Sequence, residues 1–195
     1  EISACLVGSE MCIRDSDALS GGFTDAPVEA ARAFRAALEA MARPGSLHEV
    51  AGAEAPAPLS TAAAVLLLTL CDGETPLYLA PGHDTQPVRD WIAFHVGAPL
   101  VGPGQAMFAL GQWDALAPHD AYAIGTAEYP DRSVTLIVEM PELRAEGVRL
   151  TGPGIETEAQ LALPETAAFQ RNATRFPLGW DCYFTCEGRL AALPR

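Results

Sequence analysis

Residues 133–140 read SVTLIVEM, and this run decides the fold class. It is dense in β-branched residues, which is typical of a central strand buried on both faces of a sheet. Shorter strand-like runs precede and follow it, at residues 77–80, 105–110, 121–125, 148–151 and 181–186. The sequence therefore predicts a sheet built around this strand.

Apolar residues at helical spacing lie before and between the strand-like runs. A first helix is predicted over residues 27–42. Its apolar stripe should lie on the core and consists of Val28, Ala31, Phe34, Leu38 and Met41. A second helix is predicted over residues 61–71, and because it is apolar all round we expect it to be buried.

A third helix is predicted after Asp84, which should cap it, and a fourth over residues 165–175. One face of the third helix presents Val88, Trp91, Ile92 and His95. On that face His95 is either a packed side chain that bonds one backbone carbonyl or a general base. The alternation of helices and strands predicts an α/β fold, namely a single three-layer domain with a mixed sheet.

The length and the N-terminal sequence define the expected domain. The chain has 195 residues and is 49% apolar, which suits one domain with one buried core. Residues 1–16, EISACLVGSEMCIRDS, begin without methionine and have neither helical nor strand periodicity. We interpret residues 1–16 as a non-native segment and residues 17–195 as the α/β domain.

The composition excludes several classes of function. The formal net charge of −13 repels a phosphate backbone and no basic run offsets it, so nucleic acid is not an expected partner. All 12 basic residues are arginines, so neither a Schiff-base lysine nor a Walker A lysine is present. No apolar run approaches the ~18 residues of a membrane span. Without a secretory signal pattern, we expect no membrane association and a cytoplasmic location.

The cysteines and histidines do not indicate a metal or a cofactor. Cys182 and Cys186 form a CxxxC spacing, which either belongs to an iron-sulfur motif or is a pair of apolar core residues. The cluster motif would need a third cysteine that is missing, so we expect Cys71, Cys182 and Cys186 to pack as small hydrophobes. No His, Cys or carboxylate set has metal-site spacing, and we expect neither metal nor cofactor.

The first of two glycine-rich turns is LTGPGI, at residues 150–155. It follows a predicted strand, so its amides can cradle a phosphate, or it is a structural turn. Pro153 lacks an amide hydrogen, and Glu156 and Glu158 bring negative charge, which favours the structural interpretation. Gly154 should adopt a positive φ in such a turn.

The second turn is FPLGWD, at residues 176–181, and the helix before it carries the best candidate ligands. Phe169, Asn172 and Phe176 share one stripe, which sets an amide among aromatic rings. Arg171 and Arg175 lie on the adjacent face, four residues apart. They either form a fork for a carboxylate or phosphate, or belong to a solvated edge, with Asn172 a hydrogen-bonded core residue.

Seven segments together resemble the PhnH family of the bacterial carbon-phosphorus lyase system. They are PVEAARAFRAALEAMARPG (27–45), LLLTLCDGETPLYL (66–79), WIAFHVGAP (91–99), GTAEYPDRSVTLIVEMPEL (125–143), LTGPGI, NATRFPLGWD (172–181) and the closing LPR (193–195). The resemblance covers about residues 23–195. The chain departs from the family in residues 1–16 and in ending at Arg195, where a few more polar residues are expected.

The resemblance implies a fold and a set of partners. The fold is similar to the large domain of pyridoxal-phosphate aminotransferases, without that cofactor. Members of the family are homodimers alone and belong to a core complex with G, I and J subunits. With an L partner, that complex transfers the ribose 5-triphosphate moiety of ATP to an alkylphosphonate. The matched motif positions are Gly152, Pro153, Gly154, Asn172, Phe176, Pro177, Leu178, Gly179, Asp181, Leu193, Pro194 and Arg195.

Two hypotheses about the chain's own role follow. In the first, it is a structural or co-catalytic subunit whose turns form a surface for other subunits. In the second, it binds a nucleotide or phosphonate itself through Arg171, Arg175 or Arg132. The acidic net charge favours the first hypothesis.

Overall fold

The structure is a computed structural model that describes residues 20–195. Its helices are α1 (Ala26–Ala42), α2 (Thr61–Leu70), α3 (Gln86–His95) and α4 (Thr166–Ala173). Its strands are β1 (His48–Glu49), β2 (Leu77–Leu79), β3 (Phe108–Gly111), β4 (Thr135–Glu139), β5 (Val148–Leu150), β6 (Ala159–Leu161), β7 (Asp181–Cys186) and β8 (Arg189–Leu193). The segment interpreted as non-native, residues 1–16, lies outside the described residues.

The main sheet has six strands in the order β1-β8-β7-β4-β3-β2. Strands β2, β3, β4 and β7 are parallel, whereas β8 runs antiparallel to both β7 and β1. The prediction of an α/β fold with a mixed sheet is therefore confirmed. Strands β5 and β6 form a separate antiparallel pair.

Strand β4 lies inside the sheet, as the run SVTLIVEM predicts. It pairs with β3 on one side and β7 on the other. Ile137 contributes to the hydrophobic cluster on one face of the sheet, while Leu136 and Val138 contribute to the cluster on the other. Because both faces of the strand are covered, its side chains are apolar without alternation.

Helices cover the two faces of the sheet. One cluster joins α1, α2 and α3 to the strands, and α2 is buried along most of its length, as predicted. The Ser60 hydroxyl caps α2 by accepting a hydrogen bond from the Ala63 amide at 3.1 Å. The other cluster contains Phe169 of α4, together with Trp113 and Trp180.

The predicted inward face of α1 is wrong. The helix buries Ala33, Ala37 and Ala40, and it leaves Phe34 and Leu38 more than half exposed. Helix α1 contacts α2 and β8, and the Tyr183 hydroxyl donates to the Ala37 carbonyl at 3.3 Å. Only small side chains permit so close an approach of the helix, so the alanines rather than the larger residues face the sheet.

Several predicted boundaries also need correction. Residues 121–125 do not form a strand: Ala121 belongs to a 3-10 turn at His119–Ala121, and a single bridge joins Ile124 to Ser133. The Thr85 hydroxyl, rather than Asp84, caps α3, since the Asp84 carboxylate binds Arg89 at 2.5 Å.

Three strands are absent from the sequence-based prediction, namely β1, β6 and β8. Strand β3 begins later than predicted because Pro103–Gln105 is a 3-10 turn. Within residues 20–195, no helix is both long enough and apolar enough to cross a membrane.

Candidate functional site

The two glycine-rich turns border one groove of about 680 Å³. The groove lies between the turn that follows β5, helix α4 and the last three residues of the chain. Its lining is mostly apolar and includes Val148, Leu150, Gly152, Pro153, Ile155, Phe169, Asn172, Phe176, Leu193, Pro194 and Arg195. The structure thus brings together matched motif positions that lie in three separate segments of the sequence.

The turn LTGPGI is fixed against the C-terminal end of α1. Gly154 has a φ of 81°, which confirms the predicted positive φ. A Cβ atom at this position would collide with the carbonyl oxygen of Ala42. The Ile155 amide donates to the Gly152 carbonyl at 3.2 Å, which closes the turn around Pro153. The segment therefore requires glycine at 154 for both backbone conformation and space.

The second turn is held by Asn172. This side chain is buried, its Nδ2 donates to the Trp180 carbonyl at 2.8 Å, and its Oδ1 accepts from the Trp180 amide at 3.0 Å. Gly179 has a φ of 131°, and a Cβ there would lie 2.7 Å from the Asn172 Oδ1. The interpretation of Asn172 as a hydrogen-bonded core amide is thus confirmed.

The predicted stripe of two phenylalanines around Asn172 is only half present. Phe169 is buried against the Trp180 ring, with 5.1 Å between ring centroids. Phe176 is 73% exposed because α4 ends at Ala173, before this residue is reached. The Phe176 ring therefore lies at the rim of the groove rather than in the core.

The C-terminal Arg195 is bound to Asp181, the first residue of β7. The Arg195 amide donates to the Asp181 Oδ1 at 2.9 Å, and one guanidinium nitrogen lies 3.2 Å from the Oδ2. Another guanidinium nitrogen donates to the carbonyls of Pro130 and Gly179, at 2.8 and 3.1 Å, and to the Ser133 hydroxyl. These bonds hold the end of the chain against the second turn.

Arg171 on α4 and Arg175, which lies just beyond the end of this helix, do not form a fork. Arg171 lies 3.3 Å from Glu165, whereas Arg175 donates to the Asp120 carboxylate at 2.6 Å. The hydrogen bond from Arg175 is the main cause that lowers the pKa of Asp120. Arg132, the third candidate, lies over the Tyr129 ring with its guanidinium carbon 4.0 Å from the ring centroid. Each predicted cation therefore has its own partner.

Two histidines are part of the packed structure and were not predicted as such. His119 stacks on the Trp113 ring at 3.8 Å, and burial lowers the pKa of its imidazole. Burial also lowers the pKa of His83, which is almost inaccessible. Both rings are thus favoured in their neutral form at pH 7. The sequence signal was weak, because each histidine precedes an aspartate in a loop.

The remaining candidate residues, His95 and three cysteines, are packed against the rest of the protein. His95 contacts the Ser20 carbonyl through Nε2 at 2.9 Å, as expected for a packed histidine. Cys71, Cys182 and Cys186 are free and buried, which confirms their prediction as core residues. Burial raises the pKa of the Cys71 thiol to about 12 and that of Cys182 well above its ordinary value.

The charges at the groove decide what it can bind. Among its lining residues the charged ones are Arg149 and Arg195. Arg149 lies 3.6 Å from Glu158, and Arg195 is bound to Asp181. Glu158, one of the two acids predicted to weaken anion binding at LTGPGI, therefore contacts Arg149 directly. The groove offers apolar surface and a fixed backbone shape rather than an anion site.

Comparison with known proteins shows the family of this chain. The sequence model of a family described as "PhnH: Bacterial phosphonate metabolism protein (PhnH)" matches residues 21–195. A protein of Rhizobium meliloti (strain 1021) is 38% identical over 189 residues, which cover 92% of this chain and 94% of the relative. That relative is named alpha-D-ribose 1-methylphosphonate 5-triphosphate synthase subunit PhnH.

Proposed function

Because the chain belongs to the PhnH family of bacterial phosphonate metabolism proteins, we propose that it is a subunit of an α-D-ribose 1-methylphosphonate 5-triphosphate synthase. In that assembly it would support transfer of the ribose 5-triphosphate moiety of ATP to an alkylphosphonate. The extent of the match, over nearly the whole length of both chains, supports this assignment.

Within the synthase we assign this chain a structural or co-catalytic role. One observation carries the assignment: Arg171 of α4 and Arg175 just after this helix, the two candidate phosphate ligands, are each already paired with a carboxylate. A nucleoside triphosphate would have to break these ion pairs and approach a chain of net charge −13. The groove between the two turns instead suits apolar side chains of a neighbouring subunit.

The same proposal includes the partners and the location. We expect the chain to be a homodimer when isolated and to join subunits of the G, I and J types in the cytoplasm. Likeness of its fold to the large domain of pyridoxal-phosphate aminotransferases belongs to the proposal as well. The absence of lysine from the whole sequence supports a fold without that cofactor, since no Schiff base can form.

Titration calorimetry of the isolated protein with ATP tests the assigned role. Millimolar or weaker affinity supports a structural role, because the cations are engaged. Micromolar affinity that is lost in Arg171→Ala would instead establish the chain as a nucleotide-binding protein. Arg43→Ala is a matched control, since this exposed arginine also pairs with a glutamate but lies at the end of α1.

A further inference from the structure

Helix α1 turns its large hydrophobic side chains away from the protein. Val28, Phe34 and Leu38 are 42%, 52% and 56% exposed. On the opposite side of the helix, three alanines make the contact with the sheet and α2. Single exposed hydrophobic residues are ordinary on protein surfaces, but two large ones at positions i and i+4 on one helix face form a patch.

The spacing of this patch fits another helix. Ala31, Phe34, Leu38 and Met41 are separated by three, four and three residues. Alternating steps of three and four place apolar residues along one seam of a helix, the pattern through which two helices interdigitate. Met41 is half-buried and packs on the core, so the C-terminal end of the seam meets the body of the domain. We call these four residues the α1 seam.

The charge beside the α1 seam is positive. Within residues 20–195, neither Arg32 nor Arg35 has a carboxylate within ion-pair distance. The carboxylates of the same helix are engaged: Glu29 accepts a hydrogen bond from the Asp25 amide at 2.9 Å, and Glu39 lies 3.7 Å from Arg43. Arg35 follows Phe34 directly and so lies beside the seam, whereas Arg32 lies farther round the exposed surface of the helix. In a chain of net charge −13, the charge that flanks the seam without a carboxylate partner in residues 20–195 is therefore positive.

The charge pattern distinguishes between the occupants. In a two-fold symmetric contact, a second copy would bring its own Arg35 to the same seam, and like charges across an interface destabilise it. An anionic membrane surface would repel the acidic protein as a whole. An amphipathic helix with carboxylates beside its apolar face satisfies both the seam and Arg35.

We propose that the α1 seam binds an amphipathic helix of another subunit of the synthase, with a carboxylate that pairs with Arg35. This inference rests on the proposed function, because it assumes that the chain works within a multi-subunit assembly. The contact would be distinct from the groove, which lies beyond the C-terminal end of α1.

Co-purification tests this contact. The tagged chain is co-expressed with the other subunits of the synthase, and the amount recovered with it is measured for wild type and for two double variants. We expect Phe34→Ala/Leu38→Ala to lower recovery about tenfold or more, as truncation of central interface residues does. Arg32→Glu/Arg35→Glu should lower it as well, because it reverses the charge of Arg35 beside the seam and that of its exposed neighbour on the helix. The matched control is Phe94→Ala/Met107→Ala, which removes two equally exposed hydrophobic residues elsewhere and should leave recovery unchanged.

The outcomes separate the two proposals. If the wild-type chain recovers no subunit, both the proposed function and the α1 contact are wrong. If wild type and the seam variants recover the subunits equally, the inference about α1 alone is wrong. Sedimentation of the isolated chain tests whether the seam binds a second copy instead. If the wild type is a dimer, Phe34→Ala/Leu38→Ala is a monomer and both still recover the other subunits, the seam is a homodimer contact and the proposal is overturned. Thermal unfolding of each variant verifies that it is folded.

Discussion

Asn172 binds both backbone polar groups of Trp180. Its amide nitrogen donates to the Trp180 carbonyl at 2.8 Å and its amide oxygen accepts from the Trp180 amide at 3.0 Å. The side chain thus replaces a strand partner for the residue just before β7, and it connects α4 to the sheet. Because Asn172 and Trp180 are both buried, neither backbone group can turn to water instead.

Removal of this amide should destabilise the protein. In Asn172→Ala, two buried groups of Trp180 lose their partner, and each unsatisfied group costs about 1–3 kcal/mol. Urea denaturation should show a lower midpoint without a large change in slope. Gln170→Ala is the matched control, because it removes an amide from an exposed position of the same helix. Equal midpoints for the two variants would contradict the role of Asn172.

Gly154 provides a prediction at the first turn. Its φ of 81° and the adjacent Ala42 carbonyl leave no room for a side chain. Gly154→Val should therefore lower the free energy of unfolding by the ~1–3 kcal/mol of backbone strain plus about 1–3 kcal/mol of overpacking. Chemical denaturation measures the change. Gly102→Val is the control, since a Cβ added to Gly102 would have no neighbour within 4 Å and its φ is negative, so its unfolding should change little.

Glu139 should make stability depend on pH. Its carboxylate lies at the end of β4, accepts from the Ser60 amide at 2.8 Å and from the Thr185 hydroxyl at 2.9 Å, and burial raises its pKa above the ordinary 4.5. Between its unfolded and folded pKa values, the folded state holds the proton more tightly than the unfolded state. The contribution of Glu139 to the free energy of unfolding is therefore fully present below about pH 4.5, and it is lost as the pH rises through the pKa of Glu139 in the folded state.

The variant Glu139→Gln isolates this effect. An amide has the same shape as a carboxylate, so the variant keeps most of the hydrogen bonds of residue 139 but has no titratable group there. Relative to wild type, the variant should gain stability as the pH rises from about 4 to about 7, measured by urea denaturation at each pH. Glu128→Gln, an exposed position, controls for the change in net charge. A constant difference between Glu139→Gln and wild type across this range would refute the prediction.

The buried thiols should be unreactive in the folded protein. With a pKa of about 12, Cys71 is almost entirely protonated at neutral pH, and the thiolate is the reactive form. Alkylation mapped by mass spectrometry should therefore label Cys71 and Cys182 about 100-fold more slowly in buffer than in urea. Rapid labelling of Cys71 without denaturant would show that the region around the C-terminal end of α2 opens readily.

The sequence predicted the parts of the fold that depend on local pattern. Strand β4 carries a continuous apolar run and α2 is apolar all round, so both faces of each must be covered. The face of α1 was not predictable in this way, because large side chains were assumed to point inward. Which face lies inward depends instead on how closely α1 approaches α2 and β8, and this distance is set by alanines on both helices.

The candidate site was predicted residue by residue but not as an arrangement. The two turns were found from glycine and proline, whose backbone preferences are local. The groove between them joins residues far apart in the sequence, so no spacing revealed it. The partner of Arg175 was also hidden, since Asp120 lies 55 residues before it. Strand β8 escaped prediction because its sequence, RLAAL, contains no β-branched residue.

The pair of Asp181 and Arg195 gives the last prediction, which concerns the second turn. Both side chains are about one-fifth exposed, so solvent screens their interaction less than that of the exposed pairs. Arg195→Ala removes the guanidinium bonds to Asp181, Pro130, Ser133 and Gly179 but keeps the backbone bond. Asp181→Ala removes both contacts with Arg195. Each single variant should be destabilised by about 1.5–3 kcal/mol, as for hydrogen bonds to charged groups.

The double variant separates this pair from the rest of the turn. If Asp181 and Arg195 act together, Asp181→Ala/Arg195→Ala should be less destabilised than the sum of the two single variants, by about 0.5–3 kcal/mol. The pair Arg171 and Glu165 is the matched control, because its exposed side chains should show little coupling in the same cycle. Additive effects for Asp181 and Arg195 would mean that the backbone bond and the Pro130 and Gly179 carbonyls hold the end of the chain, and that the ion pair does not.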